Sequence, residues 1–274
     1  MKIRVKNEGK AIIIAFVSLI IVAYIYWMFL IAPIVRTNNF ASQNVSFKQS
    51  NEDPIFKIKE IMLYSSANGS DKSKGEVLKD LDVHQYTDIS ITIDNKFAMQ
   101  DLSNKNSVSE LYIDNIKIEK TANKGESALN YKTPYDFGIY KDTIQPTDRI
   151  DFRILHTNED NKDNDFSTPT FFTDCSNPIT LGYMNKNVKT NCEITKSNQK
   201  IEFNGKLLEA ADIPIEDVAY KLSFQIHLKN SLEESYVYTV DLNMPLQDDN
   251  SSIYDGYIFK VMNNQAKEYY FLKE

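Results

Sequence analysis

Cys175 and Cys192 are the only cysteines in the chain, seventeen positions apart. In an oxidising compartment such a pair can close a loop through a disulfide, which in the chain-entropy model stabilises a fold by about 3 kcal/mol. The intervening SNPITLGYMNKNVKTN reads as a strand, a turn and a strand, an arrangement that brings its ends together. The other reading is two buried free thiols. The spacing excludes a CxxC redox pair and a zinc knuckle.

Oxygen ligands of the kind calcium takes are concentrated at Asp160, Asp163 and Asp165, with Glu159, Asn161 and Asn164 among them. A calcium loop opening at Asn161 would place Asp163 and Asp165 correctly. It then departs from the pattern: Phe166 stands where the turn glycine is required, and no glutamate closes the loop. The expectation is a solvated acidic linker, with calcium the one cofactor the sequence suggests and no other metal or cofactor expected.

Of the three histidines, His227 falls on the polar phase of an alternating run and is expected to be exposed. His156 ends an apolar phase, as a core histidine would, and His84 stands in an irregular stretch. None has an HExxH or H-x-E companion. There is no GxSxG elbow, phosphate-binding glycine loop or Cys-His context, so no catalytic residue is assigned and no enzymatic activity is expected. Asn44, Asn68 and Asn250 begin glycosylation sequons, which such an asparagine-rich chain produces readily by chance.

The elements that must position any such residues are mostly strands. Ile89, Ile91 and Ile93 alternate with Ser90, Thr92 and Asp94, and Ile150, Phe152 and Ile154 alternate with Asp151 and Arg153. Leu222, Phe224, Ile226 and Leu228 alternate with polar residues. After a polar loop from Asn230 to Ser235, Tyr236, Tyr238, Val240, Leu242 and Met244 do the same. These last two runs predict an antiparallel hairpin with one buried face. Further strands are expected at Ile55–Tyr64, Leu111–Glu119, Thr170–Asp174, Asn187–Ile194, Tyr257–Met262 and Glu268–Leu272. The apolar phase shifts between Ile113 and Ile116, which predicts a bulge or a switch of packing face near Asn115. Asn204-Gly205 and Asp255-Gly256 read as turns that use glycine's access to positive φ. Helix is expected only briefly, after a capping box at Ser73–Glu76 and after Pro214.

Ahead of these strands lies AIIIAFVSLIIVAYIYWMFLIAPIV, the 25 uncharged residues from Ala11 to Val35. At about 1.5 Å per residue a helix of this length exceeds the roughly 30 Å hydrocarbon layer. Tyr24, Tyr26 and Trp27 suit the headgroup boundary, and Pro33 suits the helix end. Lys2, Arg4, Lys6 and Lys10 precede the run, whereas Arg36 alone follows closely. Retention of positive flanks predicts a cytoplasmic N-terminus and a plasma-membrane, single-pass, signal-anchor topology. A cleaved signal peptide is the competing reading, but the run is too long and its only cleavage site, near Ala41, is poor.

Beyond Arg36 the chain holds 26 basic and 37 acidic residues, a net of 26 − 37 = −11. No basic, aromatic-interleaved run exists there, so no nucleic-acid partner is expected. The partners expected are membrane lipid through residues 11–35 and a protein or carbohydrate at the cell surface. The fold expected is all-β, an antiparallel immunoglobulin-like β-sandwich in two lobes outside the membrane, preceded by one N-terminal transmembrane helix. It lacks the Cys…Trp…Cys pattern, since the sole tryptophan is Trp27. The expected domains are a cytoplasmic arm (1–10), the transmembrane helix (11–35), a polar tether (36–53), a first lobe (54–157), an acidic linker (158–167) and a second lobe (168–274). With no chemical signature, the function expected is a non-enzymatic interaction or scaffolding module. Carbohydrate binding, or an enzyme acting on cell-surface carbohydrate or peptide, stands as the alternative.

Overall fold

The alternating runs become the strands of two antiparallel sheets. The computed structural model describes residues 17–24, 26, 55–70, 77–97, 106–132, 148–156, 168–195, 205–246, 250–254, 258–262 and 269–274. The chain divides into two units, Met1–Asn39 and Phe40–Glu274. In the first, residues 17–24 and 26 are helical and their side chains are exposed. Among the described residues no helix is long and apolar enough to cross a membrane, and the rest of the expected span lies outside the described residues.

The second unit is built from thirteen described strands: β1 (Phe56–Ser70), β2 (Val77–Asn95), β3 (Val108–Lys120), β4 (Glu126–Tyr131), β5 (Ile150–Asp151), β6 (Arg153–Leu155), β7 (Thr170–Phe172), β8 (Ile179–Thr195), β9 (Tyr220–Asn230), β10 (Ser235–Met244), β11 (Ile258–Met262), β12 (Tyr269–Tyr270) and β13 (Leu272–Lys273). The first sheet runs β11-β1-β2-β8-β4, with β12 also on β1, and the second runs β13-β10-β9-β3-β5. Every pairing within them is antiparallel. The short strands β6 and β7 make a separate parallel pair.

Period-2 patterning decides which side of each strand meets the core. Along β9 every second residue from Tyr220 to Asn230 is buried, and along β10 the same holds from Tyr236 to Met244. Their register, Leu228 opposite Tyr236 through Tyr220 opposite Met244, aligns the two buried faces as the hairpin pattern predicts. In the first sheet Ile89, Ile91 and Ile93 face the same core. The sheets meet through Tyr183 of β8, stacked on Tyr220 of β9 with ring centroids 3.7 Å apart. Phe56 of β1 also lies edge-on to Tyr236 of β10 at 5.2 Å. Burying each such large side chain contributes about 1.5–3 kcal/mol.

Four expectations need correction. Residues 158–167 do not separate two lobes: β8 lies between β2 and β4, and β9 pairs with β3, so strands from both sides of that stretch build both sheets. The capping box at Ser73–Glu76 does not start a helix through Val77, because β2 begins there and pairs with both β1 and β8. Tertiary pairing overrides a local helix signal. Asn187–Ile194 is only the far end of β8, which runs for 17 residues and absorbs its irregularities as bulges, with Asn187 and Asn191 at positive φ. Gly205 has φ −55°, so it is not used for positive φ. Its lack of a Cβ admits the backbone of Ile253 and Tyr254, atoms that an added Cβ would strike.

Two other expectations hold. Asn115 has φ +51° and sits at a register shift between Asp114 and Lys117, which is the predicted bulge. A helical turn, Ile215–Val218, follows Pro214.

Candidate functional site

The outward face of β3 and β9 brings together the chemistry that sequence spacing leaves scattered. Antiparallel register sets Tyr112 opposite His227 and Asp114 opposite Gln225, while Tyr112 also faces Asp151 of β5. His227 is therefore not exposed as expected: only 13% of its side chain is accessible. Its ring stacks on Tyr112 at 4.6 Å and 7°. The Arg149 guanidinium lies over the same tyrosine ring at 3.7 Å. Since β9 and β5 flank β3 on opposite sides, imidazole and guanidinium cover the Tyr112 ring from both faces.

Carboxylates hold the stack in place. Asp114 Oδ1 lies 3.0 Å from His227 Nε2, which fixes the Nε2–H tautomer when the ring is neutral. His227 Nδ1 is buried, makes no hydrogen bond, and lies 3.8 Å from Glu274 Oε1. Arg149 Nε donates to Asp151 Oδ1 at 2.7 Å, and Arg149 Nη2 is 3.8 Å from Glu110. The bond to Asp151 raises the Arg149 pKa. Burial, followed by the charge of Asp114, raises that of Tyr112. Nε2 is thus engaged by Asp114 and Nδ1 is buried, an arrangement that orients the patch.

Beside this patch runs an open edge of the second sheet. β5 pairs with β3 only at Tyr112 and Ile113. Beyond them, among the described residues, no strand pairs with that side of β3. The Thr121 N–H donates to the Ala219 carbonyl, so by alternation Glu119 and Lys117 turn their backbone groups to β9. Ile118 and Lys120 turn theirs away, toward the open side.

The interior holds a second charged feature. Asp88 and Lys132 form an ion pair with side chains only 1% and 7% exposed. Deeper in the core, Gln85 donates to the Val218 carbonyl at 2.9 Å, and Tyr183 lies 3.2 Å from Ser127. Burial pushes the Tyr183 hydroxyl up to about 12 and also raises that of Tyr220 well above its ordinary value.

The remaining sequence candidates are dispersed. Cys175 and Cys192 are both buried free thiols, a correction to the expected bridge. The strand–turn–strand between them is instead the single strand β8. Cys175 lies just before its start, close enough to feel Asp94 at one end of β2, whereas Cys192 pairs with Leu81 near the other end. Ile179 pairs with Ile91 and Cys192 with Leu81, and those ten steps of β2, at about 3.3 Å each, separate the two cysteines by roughly 30 Å, far beyond disulfide reach. Burial raises both thiol pKa values, so neither is an activated nucleophile.

Asp160, Asp163 and Asp165 lie outside the described residues, and among those described no cluster of His, Cys, Asp and Glu could hold a metal. His156 is exposed, a correction to its expected core position, because β6 ends at Leu155. His84 belongs to β2, where its Nδ1 accepts the Asn187 N–H at 2.9 Å.

Sequence reasoning missed the pairing of Asp114 with His227 because 113 positions separate them. The available signal was the phase of β3 and β9, since Tyr112 and Asp114 share the polar phase with His227. Which strand β3 would pair with was not readable. Comparison with protein-family models, curated proteins and solved structures finds no match for this chain.

Proposed function

We propose that the chain is a single-pass membrane protein whose immunoglobulin-like β-sandwich stands outside the cytoplasm as a non-enzymatic interaction or scaffolding module. The anchor reading rests on the 25 uncharged residues from Ala11 to Val35 and the four basic residues before them. Exposed apolar side chains such as Leu19, Ile21 and Val22 support it, since lipid can cover what water would penalise. The sandwich reading is supported by two antiparallel sheets whose inward faces share one core.

The observation that carries the function is the ordered stack of Arg149, Tyr112 and His227 beside an open sheet edge. Tyrosine and arginine held in fixed positions are the side chains that most often dominate protein recognition, because little conformational freedom remains to be lost on binding. Glu110, Asp114, Asp151 and Glu274 surround the stack, so it suits a protein partner that presents lysine or arginine. Carbohydrate binding is supported less well here, because both faces of the Tyr112 ring are already covered. Among the described residues the His227–Asp114 pair is the arrangement that most favours an enzyme, yet the two imidazole nitrogens are respectively engaged and buried.

Photo-crosslinking of the full-length protein in its native membrane tests this reading. A discrete protein partner should be captured by the native chain and lost with Tyr112→Ala and Arg149→Ala. Capture indistinguishable from that of an unrelated anchored β-domain, or unchanged by both substitutions, would overturn it.

A further inference from the structure

We propose that the open edge of β3 pairs with the same edge of a second copy of this chain, antiparallel about Ile118. This inference rests on the interaction reading above and names one partner for it.

The edge is bounded by β5 at Ile113 and by the turn at Thr121, so Asp114–Lys120 is the stretch of that edge that no strand among the described residues pairs with. Ile118 and Lys120 direct N–H and C=O groups to the open side, and an extended strand is what satisfies such a row. Ile116 and Ile118 are half-buried at the core rim, while Lys117 and Glu119 project from the outer face.

A two-fold antiparallel pair must place residue i opposite j with a fixed sum. Centring on Lys117 sets lysine against lysine, and centring on Glu119 sets glutamate against glutamate. Centring on Ile118 sets Lys117 opposite Glu119 twice, with the two Ile118 side chains meeting on the core side. Only this register makes the charges complementary. Glu119 already lies 4.0 Å from Lys221, an exposed contact that leaves the carboxylate reachable by a second lysine. The bulge at Asn115 bends the edge and limits the length of pairing, so the contact closes as a dimer instead of extending into a fibre.

So short an edge buries far less than the roughly 1,200–2,000 Å² of a stable soluble interface, so the pair depends on confinement of both copies to one membrane surface. The test therefore uses the full-length chain in membranes. With Ile118→Cys, oxidation should crosslink two chains, since directly opposed strand residues lie about 5.5 Å apart at Cα, within disulfide reach. Lys117→Glu or Glu119→Lys alone should lower the yield about tenfold or more, and the two together should restore it.

Counting photobleaching steps of labelled protein at low density, without the cysteine, gives a second measurement. Native and doubly reversed chains should bleach in two steps, and each single reversal in one. One-step bleaching of the native chain, or dimers indifferent to single reversal, overturns the inference. If a monomeric chain still captures a partner through Tyr112 and Arg149, this inference alone falls and the interaction reading stands.

Discussion

Replacing Asn230 with alanine probes how the central hairpin is closed. Asn230 is fully buried at the end of β9, and its Oδ1 accepts the N–H groups of Leu232 at 3.0 Å and Glu234 at 2.9 Å. Its Nδ2 donates to Glu234 Oε2 at 2.9 Å. The side chain thus supplies the hydrogen bonds that a tight turn would otherwise make, and it shapes a loop in which Glu233 holds φ +67°. Alanine leaves two backbone donors without this acceptor.

A net hydrogen bond contributes about 1 kcal/mol, and a buried donor left unpaired costs about 1–3 kcal/mol. Leu232 is 48% exposed, so its N–H can regain water, while Glu234 is half-buried. The expected loss is therefore about 2–3 kcal/mol. Urea unfolding of the full-length protein in detergent micelles, followed by circular dichroism, should show a lower midpoint with an unchanged slope. A loss below about 0.5 kcal/mol would refute the reasoning, because that is the size expected of a surface substitution without a structural role.

Other perturbations have equally defined outcomes. Hydrogen bonds from Lys273, Asn230 and Tyr236 hold the Glu234 carboxyl down at about 2, against an ordinary 4.5. The folded state therefore binds that proton less tightly, so the stability from Glu234 is present above pH 4.5 and is lost as pH falls toward 2. Glu234→Gln should flatten the acid limb of a stability–pH curve, and an unchanged limb would contradict the assignment.

Tyr183 has the opposite sign. Burial raises its pKa from 10.0 to about 12, so its contribution is complete below pH 10 and is lost as pH rises. That loss amounts to roughly 3 kcal/mol at full titration, and Tyr183→Phe should remove this share of alkaline unfolding. Gly205→Ala should lower stability by about 3 kcal/mol in the same urea assay, at the upper end of overpacking costs, because the new methyl meets backbone that cannot rotate aside. Cys175 and Cys192 should both take up a thiol label after unfolding without reductant, and labelling that requires reductant would contradict free thiols.

Local patterning was legible wherever one strand face is buried and the other wet. The hairpin Tyr220–Met244 and the bulge at Asn115 follow from the spacing of Leu222, Phe224 and Ile226 and from the phase break after Ile113. Signals that depend on distant partners were not legible. Ser73–Glu76 carries a plausible helix start, yet Val77 is the first residue of a strand held on both sides by β1 and β8. Cys175 and Cys192 are close in sequence, but the residues from Ile179 to Cys192 form one extended strand that takes up its asparagines and lysines through register shifts beyond Asn185. His227 looked exposed because its phase is polar. Its cover comes from Tyr112, 115 positions earlier, through a pairing that no local pattern specifies.

The ion pair of Asp88 and Lys132 constrains how this chain can change over generations. One charge stands on β2 and the other just beyond β4, on either side of β8, and both are withdrawn from water. Losing either alone takes the ion pair away from a charge that stays withdrawn from water, and breaking a buried pair in this way costs about 3–5 kcal/mol, comparable with the whole stability margin of many domains, whereas exchanging both for well-packed apolar residues is close to neutral. Two nearly level positions on the fitness surface are thus separated by a valley that one-step substitution cannot cross cheaply. Descendants of this chain should therefore keep both residues or replace them together.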